Sequence, residues 1–188
     1  MSEQPELILE TARLILRPLE RKDMAIFSAY RSDPSIARHQ GWEAPYSEEQ
    51  AERFIEEMQS VTPGEVGQWF QLGLELKVNG LLIGDVAFQI LKNNRRTAEI
   101  GMTLSQAFHG QGFGAEAVTE LVRYLIDDLE MHRVIANCDP ENHAAYHLLE
   151  KVGFRREGYF AESLWFKGYW ASEYWYGILD REWKGKHQ

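Results

Sequence analysis

The sequence predicts an α/β fold in which about seven strands form one mixed, largely antiparallel sheet and about four helices cover it. Two observations carry this prediction. Several stretches alternate apolar with polar residues, as half-buried strands do, and short turns join them into antiparallel pairs. The strand at 97–104 is instead followed by a glycine-rich turn, a helix with apolar residues from Val118 to Leu129, and a strand at 133–139. Such a unit places its two strands parallel, which makes the sheet mixed.

The first part of the chain supplies one strand, one helix and an irregular loop. Residues 7–18 read as a strand. Apolar residues recur at helical spacing over 22–31 and predict a helix, which Asp33-Pro34 closes. The aromatic stretch 38–46 follows neither period and reads as a loop.

A helix and a hairpin come next. Ser47-Glu-Glu-Gln has the spacing of a capping box and predicts that a helix begins there. Strands at 68–78 and 81–91 are joined by Asn79-Gly80, a dipeptide typical of two-residue hairpin turns because both positions tolerate positive φ. The chain continues with a turn at 93–96, strands at 97–104 and 133–139, a helix at 142–152, and a final antiparallel pair at 154–166 and 171–180.

Composition limits the class of protein. The 188 residues are 44% hydrophobic and 26% charged, so we expect a single domain over 1–188 with its core in about 8–180. No apolar run reaches membrane length and the N-terminus does not read as a signal peptide. The one cysteine, Cys138, reads as a buried structural thiol and, with the preceding features, predicts a cytoplasmic protein. The net charge of −9 argues against nucleic acid and suits a cationic acceptor such as an amine.

The most informative stretch is His109-Gly110-Gln111-Gly112-Phe113-Gly114-Ala115. Glycines let the backbone curl until several N–H groups point into one hollow, and the N-terminus of the following helix adds partial positive charge. This arrangement predicts a socket for a phosphate or pyrophosphate. The open alternative is an ordinary strand-to-helix turn that needs three glycines.

Nucleotide-binding loops of known mechanics do not match this stretch. A P-loop needs Lys and then Ser or Thr after its last glycine, whereas Ala115-Glu116 follow Gly114 here. The dinucleotide fingerprint also spaces its glycines differently. The remaining prediction is a ligand held by backbone amides, with no metal. His143 and His147 lie one helical turn apart without an evident third ligand, so they read as exposed histidines.

At two places the chain resembles the GNAT acyltransferases, which use acetyl-coenzyme A. Leu104 stands five residues before His109, as an aliphatic strand residue does before the family's pyrophosphate loop, and Gly112 and Gly114 fill the loop's glycine positions. His109 departs from the family's usual Gln or Arg. The stretch 142–154 resembles the second signature, in which Asn opens a helix that ends in Glu-Lys-x-Gly-Phe. The resemblance implies a sheet that splays at its central parallel pair.

The resemblance also implies an activity, the transfer of an acetyl group from acetyl-coenzyme A to a primary amine by direct attack, without a covalent enzyme intermediate. The opening Thr11-Ala-Arg13-Leu14, followed by Asp23, resembles the branch of ribosomal-protein N-terminal acetyltransferases and implies a protein N-terminus as acceptor. Open alternatives are a small cationic amine, such as an aminoglycoside or polyamine, and a non-catalytic acyl-coenzyme A-binding module. A homodimer is also left open.

The implied cofactor contacts each have a structural alternative. The strand residues would otherwise pair within the sheet, and the Asn would serve only as a helix N-cap. The implied contacts are the backbone N–H groups of Met102, Thr103 and Leu104, the loop residues His109, Gly110, Gln111, Gly112, Phe113, Gly114 and Ala115, and Asn142.

The acid and base are where the family pattern is incomplete. Many members carry Tyr seven residues after the Asn, and related ribosomal-protein enzymes use Ser three residues after it; this chain has Leu149 and Ala145 there. We expect Tyr146 to lie near the cofactor's sulfur or pantetheine arm, the alternative being a core aromatic. Glu99, on the strand that enters the site, is the predicted base, with a water relay as the alternative.

The loop 38–46 is predicted to contact the acceptor through His39, Trp42 and Glu43. Glu43 and His39 are also second and third candidates for the base, although each is more often a solvated polar group. The aromatic cluster at 165–176 reads as core, acceptor-pocket wall or subunit contact, because Lys167 is its only basic residue.

Overall fold

A computed structural model describes the backbone of residues 7–187. This part of the chain forms eight strands and six α-helices. The strands are β1 (Leu9–Glu10), β2 (Leu14–Pro18), β3 (Phe70–Leu76), β4 (Leu82–Leu91), β5 (Asn94–Leu104), β6 (Arg133–Cys138), β7 (Arg155–Phe166) and β8 (Tyr169–Leu179). The helices are α1 (Met24–Arg31), α2 (Pro34–Ala37), α3 (Glu48–Gln59), α4 (Phe113–Arg123), α5 (His143–Val152) and α6 (Asp180–His187).

The strands form one sheet in the order β1-β2-β3-β4-β5-β6-β8-β7. Every neighbouring pair is antiparallel except β5 and β6, which are parallel. The predicted α/β class and the mixed, largely antiparallel sheet are therefore confirmed, with one strand more than expected. The parallel pair is short, since only Thr97–Glu99 pair with Arg133–Ile135. Beyond that point β5 and β6 separate, as the resemblance implied.

The extra strand comes from the first segment. Residues 7–18 form two short strands rather than one, because the chain turns back at Thr11. The Thr11 backbone N–H donates to the Leu14 carbonyl at 3.0 Å, and its hydroxyl accepts from the Leu14 N–H at 2.9 Å. A threonine hydroxyl can replace a backbone partner in this way, and alternating hydrophobicity does not reveal it.

Two helices fall outside the predicted elements. The four-residue α2 begins where a closing turn was expected, because the Asp33 side chain accepts from the Ser35 N–H at 2.8 Å and Pro34 fits the first helical turn. The other is α6, which packs the buried Trp183 against the core. The predicted capping box is present, with Ser47 and Gln50 each bonding the other's backbone N–H.

The helix after the glycine loop is the main cover of the sheet near the parallel pair. Its apolar side, including Leu121 and Val122, is fully buried against the same cluster as Ala98 and Val134 of the two parallel strands. The helix continues past Arg123 as one π-helical turn, Tyr124–Asp128, which keeps Leu125 and Ile126 in the core. A separate apolar cluster joins α1 to α3.

Close contact between β4 and β5 fixes the position of β5. A Cβ atom on Gly84 would collide with the Thr103 carbonyl oxygen and lie 3.0 Å from the Leu104 Cα. A side chain here would push the two backbones apart at the end of β5, in the part of the strand that no longer pairs with β6. Gly101, on the neighbouring strand, has open space around its would-be Cβ and offers a matched control.

We therefore expect Gly84→Ala to lower the free energy of unfolding by about 1–3 kcal/mol, the usual cost of overpacking. Gly101→Ala should change it by less than about 0.5 kcal/mol, as substitutions without crowding do. Urea unfolding followed by circular dichroism measures both. Equal stability of the two variants would contradict the close packing of β4 on β5.

Candidate functional site

The gap between the separating ends of β5 and β6 exposes backbone groups of β5. After Glu99, β5 pairs only with β4 on its other side. The Met102 carbonyl accepts from the Gln40 side-chain amide at 3.2 Å, and the Leu104 carbonyl accepts from the His109 ring Nε2 at 2.8 Å. Both carbonyls therefore face away from β4. Met102 and Leu104 do not simply pair within the sheet on this side, which leaves an edge that a ligand's amides can use.

This gap opens into a cavity of about 590 Å³. Its walls come from the β5 and β6 ends, the glycine loop with α4, the length of α5, α2 with the segment after it, and Trp69 before β3. The residues that the sequence assigned to the site and that line this cavity are His39, Glu99, Met102, Thr103, Leu104, His109, Gly110, Gly112, Gly114, Ala115 and Asn142.

The glycine loop has the backbone that an anion socket needs. Gly110 and Gly112 have φ values of 73° and 83°, in the left-handed region that favours glycine. Gly112 is also the N-cap of α4, so the first N–H groups of that helix lie beside the loop. The loop and the helix terminus together form a cradle whose N–H groups and partial positive charge suit a pyrophosphate.

Glu116, in the first turn of α4, would repel an anion in the cradle, but the structure neutralises it. Its carboxylate accepts from the Arg13 backbone N–H at 2.8 Å and from the Arg13 Nε at 2.7 Å. Burial alone would raise the pKa of Glu116, but the hydrogen bonds from Thr11 and Arg13 outweigh it and lower the pKa. Arg13 also donates to the Gln111 carbonyl at 3.1 Å and so braces the loop itself. The sequence marked Arg13 as part of a signature without revealing this contact.

Glu99 lies at the closed end of the gap, in the last pair between β5 and β6. The side chain is half-buried and accepts from the Gln89 amide at 2.9 Å. Burial raises the pKa of Glu99, the Gln89 hydrogen bond opposes this, and nearby Glu173 adds to it, so the pKa lies above its ordinary value. A carboxylate with a raised pKa inside a cavity is a stronger proton acceptor than an exposed one.

His39 and Asp139 form a pair of polar side chains on the cavity wall opposite β5. The His39 Nδ1 lies 3.0 Å from a carboxylate oxygen of Asp139, and the side chains are 13% and 25% exposed. Sequence reasoning named His39 but not Asp139. The two stand one hundred positions apart, and no local pattern marks Asp139 as its partner.

Two other residues of the 38–46 loop are not on the cavity wall. Trp42 donates from its ring Nε1 to the Arg31 carbonyl at 3.0 Å, and its ring covers the buried Arg31 guanidinium at 4.0 Å. Glu43 is 79% exposed and lies 3.5 Å from the Lys167 ammonium. Lys167 in turn donates to the Ala37 and Trp42 carbonyls, so the β7–β8 turn packs on this loop. The structure does not bring Trp42 or Glu43 to the predicted acceptor position.

The side chains of three further predicted residues point elsewhere, and for Gln111 and Phe113 the predicted contact is made by the backbone. The Gln111 amide donates to the Ala107 carbonyl at 2.9 Å, and Phe113 is buried under the Arg13 guanidinium. Tyr146 packs edge-on against His147 and Tyr174, with ring centroids 4.4 and 5.9 Å away. Its place is the alternative that the sequence left open, an aromatic packed between helix and sheet, and it does not line the cavity.

Asn142 and Cys138 each have a structural place in the fold and also lie on the cavity wall. The Asn142 side chain accepts from the Ala145 N–H at 3.2 Å as the N-cap of α5, and the same residue lines the cavity. Cys138 also lines it, but burial, with a smaller contribution from Asp139, raises the pKa of its thiol to about 11. At neutral pH the thiol stays protonated and is a poor nucleophile.

None of the helices within 7–187 is long and apolar enough to cross a membrane. No group of three or more His, Cys, Asp or Glu side chains in that range is arranged to hold a metal ion.

Comparison with known proteins places this geometry in a family. Residues 13–155 match the family model described as "Acetyltransferase (GNAT) domain". The N-acetyltransferase YnaD of Bacillus subtilis is 31% identical over 175 residues, which cover 93% of this chain and 98% of YnaD. The crystal structure of a GNAT-family acetyltransferase from Bacillus anthracis superposes with a TM-score of 0.83 at 28% identity and covers 93% of this chain and 99% of that one.

Two more distant relatives from Escherichia coli are named for their acceptors. The [ribosomal protein uS5]-alanine N-acetyltransferase is 25% identical, with 97% of this chain and 95% of that protein covered. The spermidine N(1)-acetyltransferase is 23% identical, with 92% of this chain and 89% of that protein covered. The relatives share the N-acetyltransferase name and differ in acceptor.

The cradle predicts a sharp effect of one substitution. Gly112→Val should abolish the calorimetric binding of coenzyme A, because a side chain with φ near 83° strains the loop and its Cβ would lie 3.4 Å from the Arg13 guanidinium that braces the loop. Gly80→Val, at another positive-φ glycine with open space in the β3–β4 turn, is the matched control and should retain binding. Equal affinity of the two variants would remove the loop from the cofactor site.

Proposed function

Because the chain belongs to the GNAT acetyltransferase family and is thus an acetyl-CoA-dependent N-acetyltransferase, we propose that it acetylates the α-amine at the N-terminus of a protein. The observation that carries the proposal is the cavity between β5 and β6, which has the glycine cradle at one end and a half-buried carboxylate at the other. Acetyl-coenzyme A supplies the acetyl group. The protein's own groups position the two reactants and manage the protons.

The cofactor half of the cavity suits a pyrophosphate followed by a chain of amides. The cradle offers N–H groups and a helix terminus to the phosphates, with Arg13 neutralising the nearest carboxylate. The edge of β5 that β6 leaves unpaired offers backbone groups to amides beyond them, and the Met102 and Leu104 carbonyls, each of which accepts one side-chain hydrogen bond, keep a second lone pair. A backbone N–H in this same stretch would donate to the oxyanion that forms when an amine attacks a thioester carbonyl.

Glu99 is the group we assign to deprotonating the incoming amine. An α-amine is largely protonated at neutral pH and cannot attack until it loses a proton. Glu99 lines the cavity, is ionised above its raised pKa, and has one carboxylate oxygen held by Gln89. The other oxygen is available to an ammonium or to a bridging water.

Charge in the cavity favours a single amine over a polycation. The net charge of −9 belongs to the whole chain, whereas the carboxylates that line the cavity are Glu99 and Asp139, and Asp139 is engaged by His39. A polyamine carries several positive charges, each of which needs a partner to offset its desolvation. A protein N-terminus carries one. The named acceptor of the uS5-alanine relative agrees with this choice.

The runner-up is a small cationic amine. The overall acidic balance and the spermidine-acetylating relative support it. Long-range attraction from negative surface residues would raise the local concentration of such an amine without any partner inside the cavity.

A panel of amines discriminates between the two acceptors. We expect thiol release from acetyl-coenzyme A with short peptides that have a free N-terminus, and mass spectrometry should place one acetyl group on the α-amine. The same peptides with a blocked N-terminus and an internal lysine are the control and should be inactive. Faster turnover of spermidine or an aminoglycoside would favour the runner-up, and thiol release without any amine would reduce the activity to thioester hydrolysis.

Replacing the assigned base should produce a pH-dependent loss. Glu99→Gln is expected to lower kcat about a hundredfold or more at neutral pH, the usual scale for loss of a general base. The pKa of Glu99 is raised, so activity in the natural enzyme should fall with acid at a pH above the ordinary carboxyl range, as Glu99 becomes protonated. The deficit of the variant should shrink at high pH, where the amine deprotonates unaided. An unchanged pH–rate profile would make Glu99 structural and assign the proton to water.

A further inference from the structure

The proposed reaction removes two protons from the nitrogen, and Glu99 accounts for only one. An ammonium loses its first proton before attack. After attack, the nitrogen of the tetrahedral adduct is positively charged again and must lose a second proton, or it leaves in preference to the thiolate. The departing sulfur gains one proton. The products are an amide, a free thiol and one proton released to solvent.

The positions that would carry the second proton in related enzymes are apolar here. Leu149 and Ala145 both line the cavity, and neither side chain holds a transferable proton. Tyr146 packs away from it. The step therefore needs a group from another element.

The His39–Asp139 pair is built to carry a proton. Asp139 lies between the end of β6 and the start of α5, and one of its carboxylate oxygens is fixed by the Glu141 backbone N–H at 2.8 Å. Its other oxygen lies 3.0 Å from the His39 Nδ1. An ionised carboxylate can only accept, so the neutral form of His39 carries its hydrogen on Nδ1 and has a lone pair on Nε2.

The other histidines that line the cavity do not have this arrangement. His109 donates its Nε2–H to the Leu104 carbonyl, and a carbonyl oxygen holds no proton that it could return to the ring. His147 is exposed and packs against the Tyr146 ring. The remaining titratable groups on the wall are Glu99, Lys151 and Cys138, and the thiol of Cys138 stays protonated. A histidine fixed by a carboxylate can both accept and return a proton near neutral pH.

We propose that His39 moves the second proton, taking it from the nitrogen of the tetrahedral adduct onto Nε2 and giving it to the sulfur as the carbon–sulfur bond breaks, with Asp139 as its positioning residue. The electron pair of that bond leaves with the sulfur, and His39 returns to its starting state. Asp139 stabilises the imidazolium that exists between the two transfers. This assignment rests on the proposed function.

A purely mechanical role for the pair is the competing explanation. The segment 38–40 is tied down by three side-chain contacts, from Arg38 to Glu141 at 2.9 Å, from His39 to Asp139, and from Gln40 to the Met102 carbonyl. If His39 only held this segment in place, an amide side chain that makes the same hydrogen bond to Asp139 could replace it without loss of activity. The neighbouring Arg38 contact offers a matched control, since it ties the same segment without facing the cavity.

The test uses the full chain with the best peptide acceptor. His39→Asn places an amide donor where Nδ1 stood but cannot carry a proton, and it should lower kcat about a hundredfold or more with little change in KM. Coenzyme A affinity measured by calorimetry should be unchanged. Asp139→Asn should lower kcat and alter the pH–rate profile, because the imidazolium that forms on His39 loses its partner charge. Arg38→Ala should keep kcat within about twofold.

An independent readout does not require turnover. In the natural protein at mildly alkaline pH, nitrogen chemical shifts should show His39 protonated on Nδ1 and bare on Nε2, and Asp139→Asn should disturb that state. The opposite tautomer, or a His39→Asn enzyme with full kcat, would overturn the proposal while leaving the acetyltransferase intact. A natural enzyme that acetylates no amine would refute the proposed function and the proton transfer together.

Discussion

The short parallel contact between β5 and β6 is the constraint on which the site depends. Three residues of each strand pair, and the buried Ala98 and Val134 lock that contact into the core. Beyond Glu99 the right-handed twist of the sheet and the tight packing of β5 on β4 leave β6 to diverge. The divergence creates the cavity, frees the β5 edge and sets a carboxylate at the apex. The short parallel contact thus supplies the shape of the cavity, its hydrogen-bonding groups and a proton acceptor.

The chain keeps its many carboxylates away from the anion cradle by pairing them elsewhere. Glu116 is the nearest, and Arg13 and Thr11 hold it on the far side of the loop. Arg17 binds Asp23 and Glu75 in the same manner near the edge of the sheet. A protein with a net charge of −9 can in this way bind a polyanionic ligand, because local charge within a Debye length matters more than the total.

Much of the fold could be read from local sequence. Alternation and helical spacing give most strands and helices, the capping box at Ser47 marks where α3 begins, and the glycine spacing marks the loop before α4. Two elements that the sequence did not predict also arise from contacts between residues close together in the chain. Thr11 turns the first strand back through its hydroxyl, and Asp33 caps a helix of only four residues.

The site could be predicted only in part, because partners distant in sequence leave no periodic signal. The loop, the β5 edge and Glu99 were predicted from one stretch, residues 99–115, and apart from Gln111 and Phe113 the predicted residues of that stretch line one cavity. Asp139 as the partner of His39 was not predicted, nor was Arg13 as the brace of the loop. Trp42 and Tyr146 looked available for ligands because the sequence does not show whether an aromatic ring faces a cavity or packs on a cation. Here Trp42 packs on the buried Arg31, and Tyr146 packs near the exposed Arg156.

The hydrogen bond from Gln40 to the Met102 carbonyl makes the two halves of the cavity one thermodynamic unit. A ligand that displaces Gln40 from this carbonyl also loosens the segment that forms the opposite wall. Part of the first ligand's binding free energy is then spent in freeing the wall that the second ligand meets. By linkage the reverse also holds, so an acceptor that fastens the segment weakens the hold on the coenzyme. Because the coupling is the same in both directions, it sets no order of binding and acts instead on the stability of the complex that holds both ligands.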